Sequence, residues 1–258
     1  MPGRDLSLLI EAAREAGNVA ARYFETGAER WDKPAGAGPV TEADLAVNGL
    51  LSARLRDARP DYGWLSEESE DGPERTERDN VFIIDPIDGT RSFIDGSRAW
   101  AHALAVVNAG RVTAAVVYLP MLDKLYAAET GGGASLNGVP IAVSRGADLA
   151  QASVLSAKPT LDPKHWKEGI PPVFRREHRP SLAYRLSLVA EGRFDAMLTL
   201  RGTWEWDVAA GDLILREAGA LTSDRTGAPL LFNNRHPQVN GIVAAGPVLH
   251  GDLLGRLA

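Results

Sequence analysis

The stretch Ile83-Ile84-Asp85-Pro86-Ile87-Asp88-Gly89-Thr90 changes abruptly from apolar to acidic sequence. Every position from Val81 to Ile84 is apolar, which predicts a strand that is covered on both faces. We expect Asp85 to end that strand, Pro86 to turn the chain and a short helix to follow over 90–95. The segment therefore predicts a buried central strand whose end carries two acidic side chains.

The two aspartates of this segment can serve two different purposes. Across a tight turn they can converge on one cation together with the Ile87 carbonyl, an oxygen set that suits Mg²⁺. Gly89 allows backbone to approach a ligand, and the N–H groups that open the helix suit a phosphate oxygen. The alternative is a plain turn in which Asp88 is the helix N-cap. This segment alone leaves both interpretations open.

Three further acidic segments also have purely structural explanations. Glu67 and Glu68 directly follow an apolar strand end, where adjacent acids usually form a solvated loop. Thr41 and Asp44 have the spacing of a helix capping box. Asp207 lies in the first turn of a predicted helix, where an acid stabilises the helix dipole by about 0.3–1 kcal/mol. Taken singly, none of these segments requires a catalytic role.

Outside the acidic segments, the chain changes character near 145–150. Before this point we predict helices over 4–27 and 41–57, a loop over 33–39, and strands over 62–66, 81–84, 103–107, 112–119 and 124–128. Asn108–Gly110 signals a hairpin, and turns are expected at 130–133 and 137–138. After it we predict strands over 152–156, 194–200, 220–223 and 241–245 and helices over 181–191, 206–218 and 247–257. The pattern predicts an α+β domain over 1–148 and an α/β domain over 149–258.

Composition excludes several classes of protein. The net charge of −6 argues against a nucleic-acid binder, and the absence of cysteine excludes disulfides and a cysteine nucleophile. Serine-hydrolase, Walker and zinc-protease motifs are missing, and the five histidines are dispersed, so most are expected at the surface. Neither a secretory signal nor a transmembrane segment is visible, so we expect a cytoplasmic protein; peripheral association with the inner membrane stays open.

Together the four acidic segments resemble the inositol-monophosphatase superfamily. They read Val40-Thr41-Glu42-Ala43-Asp44, Glu67-Glu68, Asp85 to Thr90, and Trp206-Asp207-Val208-Ala209-Ala210-Gly211, in the family's order and spacing. The resemblance implies a layered αβαβα sandwich with the site between its halves, and a Mg²⁺-dependent phosphomonoesterase. It also implies a small phosphorylated metabolite as substrate, two or three Mg²⁺ ions and inhibition by Li⁺, and it leaves a homodimer open.

The resemblance also assigns roles to individual residues. The implied metal ligands are Glu67, Asp85, the Ile87 carbonyl, Asp88 and Asp207. The implied catalytic residues are Asp44 and Thr90, which would orient and deprotonate the attacking water, together with Glu67. Substrate contacts would come from Glu67, Ile87, Asp88, Gly89, Thr90, Arg185 and Asp207, with Lys33, Glu68, Ser181 and Arg201 as further candidates. Unit charges 4 Å apart repel by about 1 kcal/mol even in water. We therefore expect cations to accompany this number of acidic side chains in one cleft.

Substrate preference depends on the second half of the chain. Inositol-specific members place a glutamate seven residues before the Trp-Asp aspartate, where this chain has Leu200. The segment 181–192 instead is similar to bacterial 3′(2′),5′-bisphosphate nucleotidases, in which a basic residue at the position of Arg185 meets the second phosphate. Those enzymes have a basic residue at the position of Thr199; here Arg201 lies two residues on, which predicts the same strand face.

These features favour hydrolysis of 3′-phosphoadenosine 5′-phosphate to AMP, a step of sulfate assimilation. Arg185 can equally be an ordinary charge on a helix surface. The alternatives are an inositol-1-monophosphatase, a histidinol-phosphate phosphatase, or a non-catalytic regulatory protein on the same fold.

Overall fold

The computed structural model describes residues 4–34 and 38–258. Its helices are α1 (Arg4–Thr26), α2 (Glu42–Ala58), α3 (Thr90–Ile94), α4 (Leu182–Ala190), α5 (Glu205–Glu217) and α6 (Pro247–Arg256). The strands of the first part are β1 (Arg30–Asp32), β2 (Pro39–Thr41), β3 (Gly63–Ser66), β4 (Asn80–Asp88), β5 (Ala101–Asn108), β6 (Arg111–Leu119), β7 (Lys124–Glu129), β8 (Gly133–Leu136) and β9 (Val139–Pro140). Those of the second part are β10 (Ser153–Ser156), β11 (Arg175–Glu177), β12 (Ala196–Thr199), β13 (Thr203–Trp204), β14 (Leu221–Ser223), β15 (Gln238–Val239) and β16 (Ile242–Ala245).

Most strands belong to two sheets. The seven-stranded sheet has the order β3-β4-β5-β6-β7-β8-β9 and is antiparallel except for the β3–β4 pair. The five-stranded sheet has the order β11-β10-β12-β16-β14, with β10 parallel to both of its neighbours. Two short ribbons, β1–β2 and β13–β15, flank the sheets.

Strand β4 shows how the layers are stacked. Phe82 and Ile84 pack into the core that α1 and α2 cover, whereas Val81 and Ile83 pack into the core shared with α4 and α5. Because successive side chains of a strand point to opposite faces, a strand between two helical layers must be apolar at every position. The predicted two-sided burial of this strand is confirmed.

The five-stranded sheet repeats this arrangement. Met197 of β12 joins the core of α4 and α5, while Ala196 and Leu198 join a third core with Leu249 and Leu253 of α6. The order of layers is therefore α1/α2, seven-stranded sheet, α4/α5, five-stranded sheet, α6. The predicted αβαβα sandwich is confirmed.

Several local predictions were wrong or incomplete. Strand β4 does not stop at Asp85 but continues to Asp88, with a register irregularity between them. Strand β8 begins inside the predicted 130–133 turn. Strand β11 was missed because an exposed, arginine-rich edge strand of three residues has no hydrophobic alternation. The hairpin at Asn108–Gly110 is confirmed, and Ala109 and Gly110 take positive φ values there.

The remaining predictions concern the loop before β2, the division into domains and membrane spans. The predicted loop 33–39 ends where β2 begins at Pro39, and its residues 35–37 lie outside the described part of the chain. The division into domains 1–148 and 149–258 stays a prediction, since one core contains Tyr126 from the first part and Met197 from the second. Within the described residues, no helix has both the length and the apolar character needed to cross a bilayer.

Helices α4 and α5 cross closely at Gly211. A Cβ atom at this position would lie 2.5 Å from Leu186 Cδ1 and 2.6 Å from Leu186 Cβ. Gly49 in α2 is exposed, and a Cβ there would meet nothing within 4 Å. The two helical glycines therefore differ only in their surroundings.

We expect Gly211→Ala and Gly49→Ala to have opposite effects on stability. Overpacking at the helix crossing should lower the free energy of unfolding of Gly211→Ala by about 1–3 kcal/mol. Gly49→Ala should raise it by roughly 0.5–1 kcal/mol, because alanine loses less backbone entropy in a helix. Urea denaturation measures both. A stabilised Gly211→Ala would contradict the close helix crossing.

Candidate active site

Three acidic side chains meet between the layers. Asp85 and Asp88 lie on the last part of β4, and Asp207 lies in the first turn of α5. One carboxylate oxygen of each lies within 4.8 Å of those of the other two. Asp85 and Asp88 are buried and Asp207 is half-buried. Strand β4 and helix α5 thus bring together the acids that the sequence placed in two separate motifs.

The electrostatics of this cluster call for a cation. Burial raises the pKa of Asp85 well above its ordinary value, and the negative charges of Glu67 and Asp88 raise it further. Burial and the nearby charge of Asp88 also raise the pKa of Asp207. The Oδ1 atom of Asp85 is buried and has no hydrogen-bond partner among the described residues. A buried, unpartnered carboxylate oxygen beside two other carboxylates fits a hard divalent cation.

Asp88 also fixes the beginning of α4. Its Oδ2 accepts hydrogen bonds from Ser181 Oγ at 2.7 Å and from the Ala183 amide at 2.6 Å. The N-cap of α3 is Gly89, with φ of 97°, so Asp88 does not cap that helix. The alternative in which Asp88 is only a helix cap is therefore wrong, because the carboxylate points instead toward α4.

Asp44 has a double role in hydrogen bonding. Its Oδ2 accepts from the Thr41 amide at 2.9 Å and from Thr41 Oγ1 at 2.6 Å, so the predicted capping box is confirmed. Its Oδ1 lies 3.2 Å from Thr90 Oγ1, which is also 3.2 Å from the Ile87 carbonyl oxygen. Burial raises the pKa of Asp44. The capping interaction therefore holds a carboxylate whose second oxygen contacts Thr90.

Lys33 joins the acidic pair that follows β3. Its Nζ lies 2.8 Å from Glu67 Oε1 and 2.5 Å from Glu68 Oε1. Burial raises the pKa of Glu68 to about 7. Glu67 lies outside the compact group formed by Asp85, Asp88 and Asp207, although it lines the same cavity. The pair is thus not a solvated loop but a partly buried ion-pair cluster.

A cavity of about 600 Å³ opens beside the carboxylates. Its lining includes Glu67, Asp88, Gly89, Thr90, Ser181, Arg185, Arg201, Trp204, Trp206 and Asp207. Leu200 is buried in the third core and is not among the lining residues. Strand β12 ends at Thr199, so Arg201 reaches the cavity from the following turn; its predicted place on the strand was wrong.

Arg185 extends from α4 into this cavity. Its Nε donates to the Arg179 carbonyl, and its terminal nitrogen lies 2.9 Å from His178 Nε2. Burial lowers its pKa, and the negative charge of Asp88 raises it. Arg185 is therefore a partly buried cation that faces the acidic cluster.

No sequence pattern predicted the network that supports α5. Glu205 is buried and accepts hydrogen bonds from the Asn233 amide at 2.7 Å, the Asn234 amide at 2.9 Å and Asn234 Nδ2 at 2.7 Å. Arg75, also buried, donates to Asn233 Oδ1 at 2.7 Å and to the Asn234 carbonyl at 2.9 Å. The network fixes the first turn of α5, which carries Asp207.

His102 and His250 are exceptions to the expectation that most histidines lie at the surface, because both are buried. His102 Nδ1 is hydrogen-bonded to the Pro86 carbonyl, directly behind the acidic end of β4. Its ring meets Trp100 edge to face at 5.5 Å. A strand residue thus supports the irregular part of β4 from inside the core.

The fold and the site together define a class: a layered αβαβα protein with a buried carboxylate cluster that can hold a divalent cation beside an open cavity. The model of the inositol monophosphatase family matches residues 4–257. The chain therefore belongs to the inositol monophosphatase family, which is a family of phosphatases.

Individual relatives agree with this placement. The chain is 32% identical to an inositol-1-monophosphatase of Mesorhizobium japonicum, with 96% of this chain and 94% of the relative covered. It is 34% identical to the Nus factor SuhB of Escherichia coli K12, with 94% of this chain and 91% of that relative covered. The solved structure of a Thermotoga maritima IMPase superposes with a TM-score of 0.82 at 29% identity and covers 98% of this chain and 96% of its own. The predicted resemblance to the family is confirmed. The predicted similarity to bisphosphate nucleotidases is not, because these relatives bear the names of inositol monophosphatases and of SuhB.

His102 predicts how stability depends on pH. Burial lowers its pKa from 6.5 to about 4. Between these pH values the His102 side chain binds a proton in the unfolded chain but not in the folded chain. The contribution of His102 to the free energy of unfolding is therefore fully present above pH 6.5 and is lost as the pH falls toward 4. A shift of this size corresponds to roughly 3 kcal/mol.

We expect the loss of unfolding free energy between pH 7 and pH 4.5 to be about 2–3 kcal/mol smaller in His102→Asn than in the parent. Urea denaturation at the two pH values measures this difference. His236→Asn, at an exposed position, is the matched control and should behave as the parent does. An equal loss in parent and His102→Asn would rule out this titration.

Proposed function

We propose that the protein is a Mg²⁺-dependent phosphomonoesterase that hydrolyses the 3′-phosphate of 3′-phosphoadenosine 5′-phosphate and releases AMP and phosphate, a step of sulfate assimilation. The observation that carries the proposal is the shared cavity. Two arginines, Arg185 and Arg201, line it together with Asp88 and Asp207 of the carboxylate cluster. A site with a cation-binding cluster and separate basic side chains suits a substrate that carries two phosphates.

The carboxylates would hold the metal ions. The ligands would be Asp85, Asp88 and Asp207, with Glu67 and the Ile87 carbonyl oxygen completing the set. Bound Mg²⁺ supplies positive charge that stabilises phosphate oxygens and lowers the pKa of water. The unpartnered Oδ1 atom of Asp85 supports this assignment.

Asp44 and Thr90 would prepare the attacking water. The Thr90 hydroxyl donates to Asp44 Oδ1 and can accept a hydrogen bond from water at the same time. Asp44 can then receive the proton while Thr41 keeps its carboxylate in place. The water oxygen attacks phosphorus and the ester P–O bond breaks. The leaving ribose oxygen takes up a proton from solvent in the open cavity, and Asp44 then returns its proton to solvent. The backbone amides of Gly89 and Thr90 would bind the transferred phosphate.

The second phosphate would bind to the arginines. Two partners fix the Arg185 guanidinium, namely Arg179 and His178, and the fork still has free N–H donors. Arginine binds phosphate in a bidentate manner, and charge-assisted bonds of this type are about twice as strong as neutral ones. Arg201 is exposed, lines the same cavity and would add a second positive charge.

Three other candidates remain. Inositol 1-phosphate is supported by the relative named inositol-1-monophosphatase, whereas the buried Leu200 weighs against it. A non-catalytic regulatory role is supported by relatives named Nus factor SuhB, but the intact Asp44–Thr90 pair weighs against it. Histidinol phosphate has no specific observation in its favour. The count of two or three Mg²⁺ ions, inhibition by Li⁺, a homodimer and a cytoplasmic location stay predictions.

A substrate panel tests the proposed function. With saturating Mg²⁺, we expect kcat/KM for 3′-phosphoadenosine 5′-phosphate to exceed that for inositol 1-phosphate, histidinol phosphate and fructose 1,6-bisphosphate by about tenfold or more, a difference of about 1.4 kcal/mol. EDTA should abolish turnover and added Mg²⁺ should restore it.

Asp88→Asn should lower kcat by about a hundredfold or more, since removing one group that stabilises the transition state costs roughly this much.

Asp95→Asn is the control for that variant, because Asp95 is exposed at the end of α3. Equal or better turnover of inositol 1-phosphate would reject the nucleotidase assignment. Turnover that survives EDTA would reject the metal mechanism. A parent protein inactive on every substrate would favour the regulatory alternative.

Arg185 should decide between bisphosphate and monophosphate substrates. We expect Arg185→Ala to raise KM for 3′-phosphoadenosine 5′-phosphate by about 10- to 100-fold, the effect of losing a charged hydrogen bond worth about 1.5–3 kcal/mol. KM for adenosine 3′-phosphate, which lacks the 5′-phosphate, should change much less. Arg193→Ala, exposed and outside the cavity, is the matched control. An equal increase for both substrates would show that Arg185 does not bind the second phosphate.

A further inference from the structure

Two tryptophans form a flat aromatic surface at the edge of the cavity. The rings of Trp204 and Trp206 stack with centroids 4.8 Å apart and planes only 8° from parallel. Both line the cavity that Thr90 and Asp207 also line. Trp204 is 36% exposed, and Trp206 is half-buried. Neither ring has a role in the hydrolysis described above.

The surroundings hold this surface in a fixed position. Trp204 is paired with Gln238 in the β13–β15 ribbon, and it immediately precedes α5. Trp206 packs against the core shared by the two sheets, and its ring stacks on one face of the Trp204 indole. The His236 ring contacts Trp204 at 5.5 Å, and His236 does not line the cavity. Because these contacts fix the indole before any ligand arrives, binding to it would cost little ordering of the side chain.

The chemistry of the cavity wall identifies the ligand that would use this surface. The lining of one cavity combines carboxylates suited to cations, two arginines suited to phosphate, and two stacked indoles. A nucleotide is the class of metabolite that combines phosphates with a flat aromatic ring. Stacking of a base on an aromatic side chain contributes about 1–3 kcal/mol and tolerates different bases.

We propose that Trp204, supported by Trp206, is the base-binding platform of this site, on which the purine of a nucleotide substrate stacks. The inference rests on the proposed function and adds the residue that selects nucleotides over sugar and polyol phosphates. Trp204 acts in binding and takes no part in the proton transfers, so its effect falls on KM more than on kcat.

Kinetics with and without a base test the platform. We expect Trp204→Ala to lower the ratio of kcat/KM for 3′-phosphoadenosine 5′-phosphate to kcat/KM for 2-glycerophosphate by about 5- to 150-fold, mostly through KM. Trp204→Phe should keep most of the ratio, because a smaller ring still stacks. Trp31→Ala is the matched control, since Trp31 is an exposed tryptophan outside this cavity. Its ratio should equal that of the parent.

Direct binding provides an independent measurement. Adenosine 5′-monophosphate should quench the tryptophan fluorescence of the parent and of Trp31→Ala but not that of Trp204→Ala, and ribose 5-phosphate should quench none of them. Urea denaturation checks that each variant is folded. If the alanine variant is not, Trp204→Leu carries the test, because leucine keeps an apolar side chain but has no ring on which a base can stack.

The outcomes separate the two proposals. A parent that prefers the nucleotide, with an unchanged ratio and unchanged quenching in Trp204→Ala, overturns the platform and leaves the nucleotidase assignment intact. A parent that prefers inositol 1-phosphate overturns the nucleotidase assignment. In that case the fluorescence decides: quenching by adenosine 5′-monophosphate that requires Trp204 supports the platform, and its absence rejects it.

Discussion

Mutual repulsion among Asp85, Asp88 and Asp207 is the constraint on which the rest of the site depends. Two unit charges 4 Å apart repel by about 1 kcal/mol in water and by about 4 kcal/mol at the edge of a protein. Three carboxylates within 4.8 Å, two of them buried, therefore oppose folding unless protons or cations compensate them. Burial raises the pKa values of Asp85 and Asp207, and the repulsion between neighbouring carboxylates raises them further. A divalent cation would remove this repulsion, and the proposed chemistry uses the same ligand.

The layered fold keeps these charges together by hydrogen bonds between layers. Asp88 accepts from Ser181 and Ala183, so the end of β4 and the start of α4 fix each other. The buried Glu205 fixes the first turn of α5 through its bonds to the loop containing Asn234. Neither element could shift without breaking buried polar contacts, and an unsatisfied buried group costs about 1–3 kcal/mol. The resulting rigidity suits a site that acts by positioning and charge stabilisation.

In the proposed function, different residues carry the chemistry and the choice of substrate. The carboxylates lie on β4 and α5, whereas Arg185 lies on α4, Arg201 follows β12 and Trp204 ends β13. All three of these residues line the cavity. Relatives that are 32% and 34% identical bear the names of an inositol-1-monophosphatase and of a Nus factor. Such divergence within one family is understandable if a few wall residues select the ligand while the core of the site remains unchanged.

The sequence by itself determined the features that depend on local patterns. The all-apolar run before Asp85 required a strand buried on both faces, the Thr41–Asp44 spacing required a capping box, and four ordered segments indicated the family. Only the tertiary structure decided which groups Asp88 contacts. It also decided that β4 continues past Pro86, whose carbonyl is hydrogen-bonded to the buried His102, and that Glu205 is buried instead of being a surface charge. It also decided that Arg201 and the stacked tryptophans border one cavity. The reason is physical: periodicity and caps act between near neighbours in the chain, whereas these contacts join residues far apart in sequence, and only the packed layers bring them together.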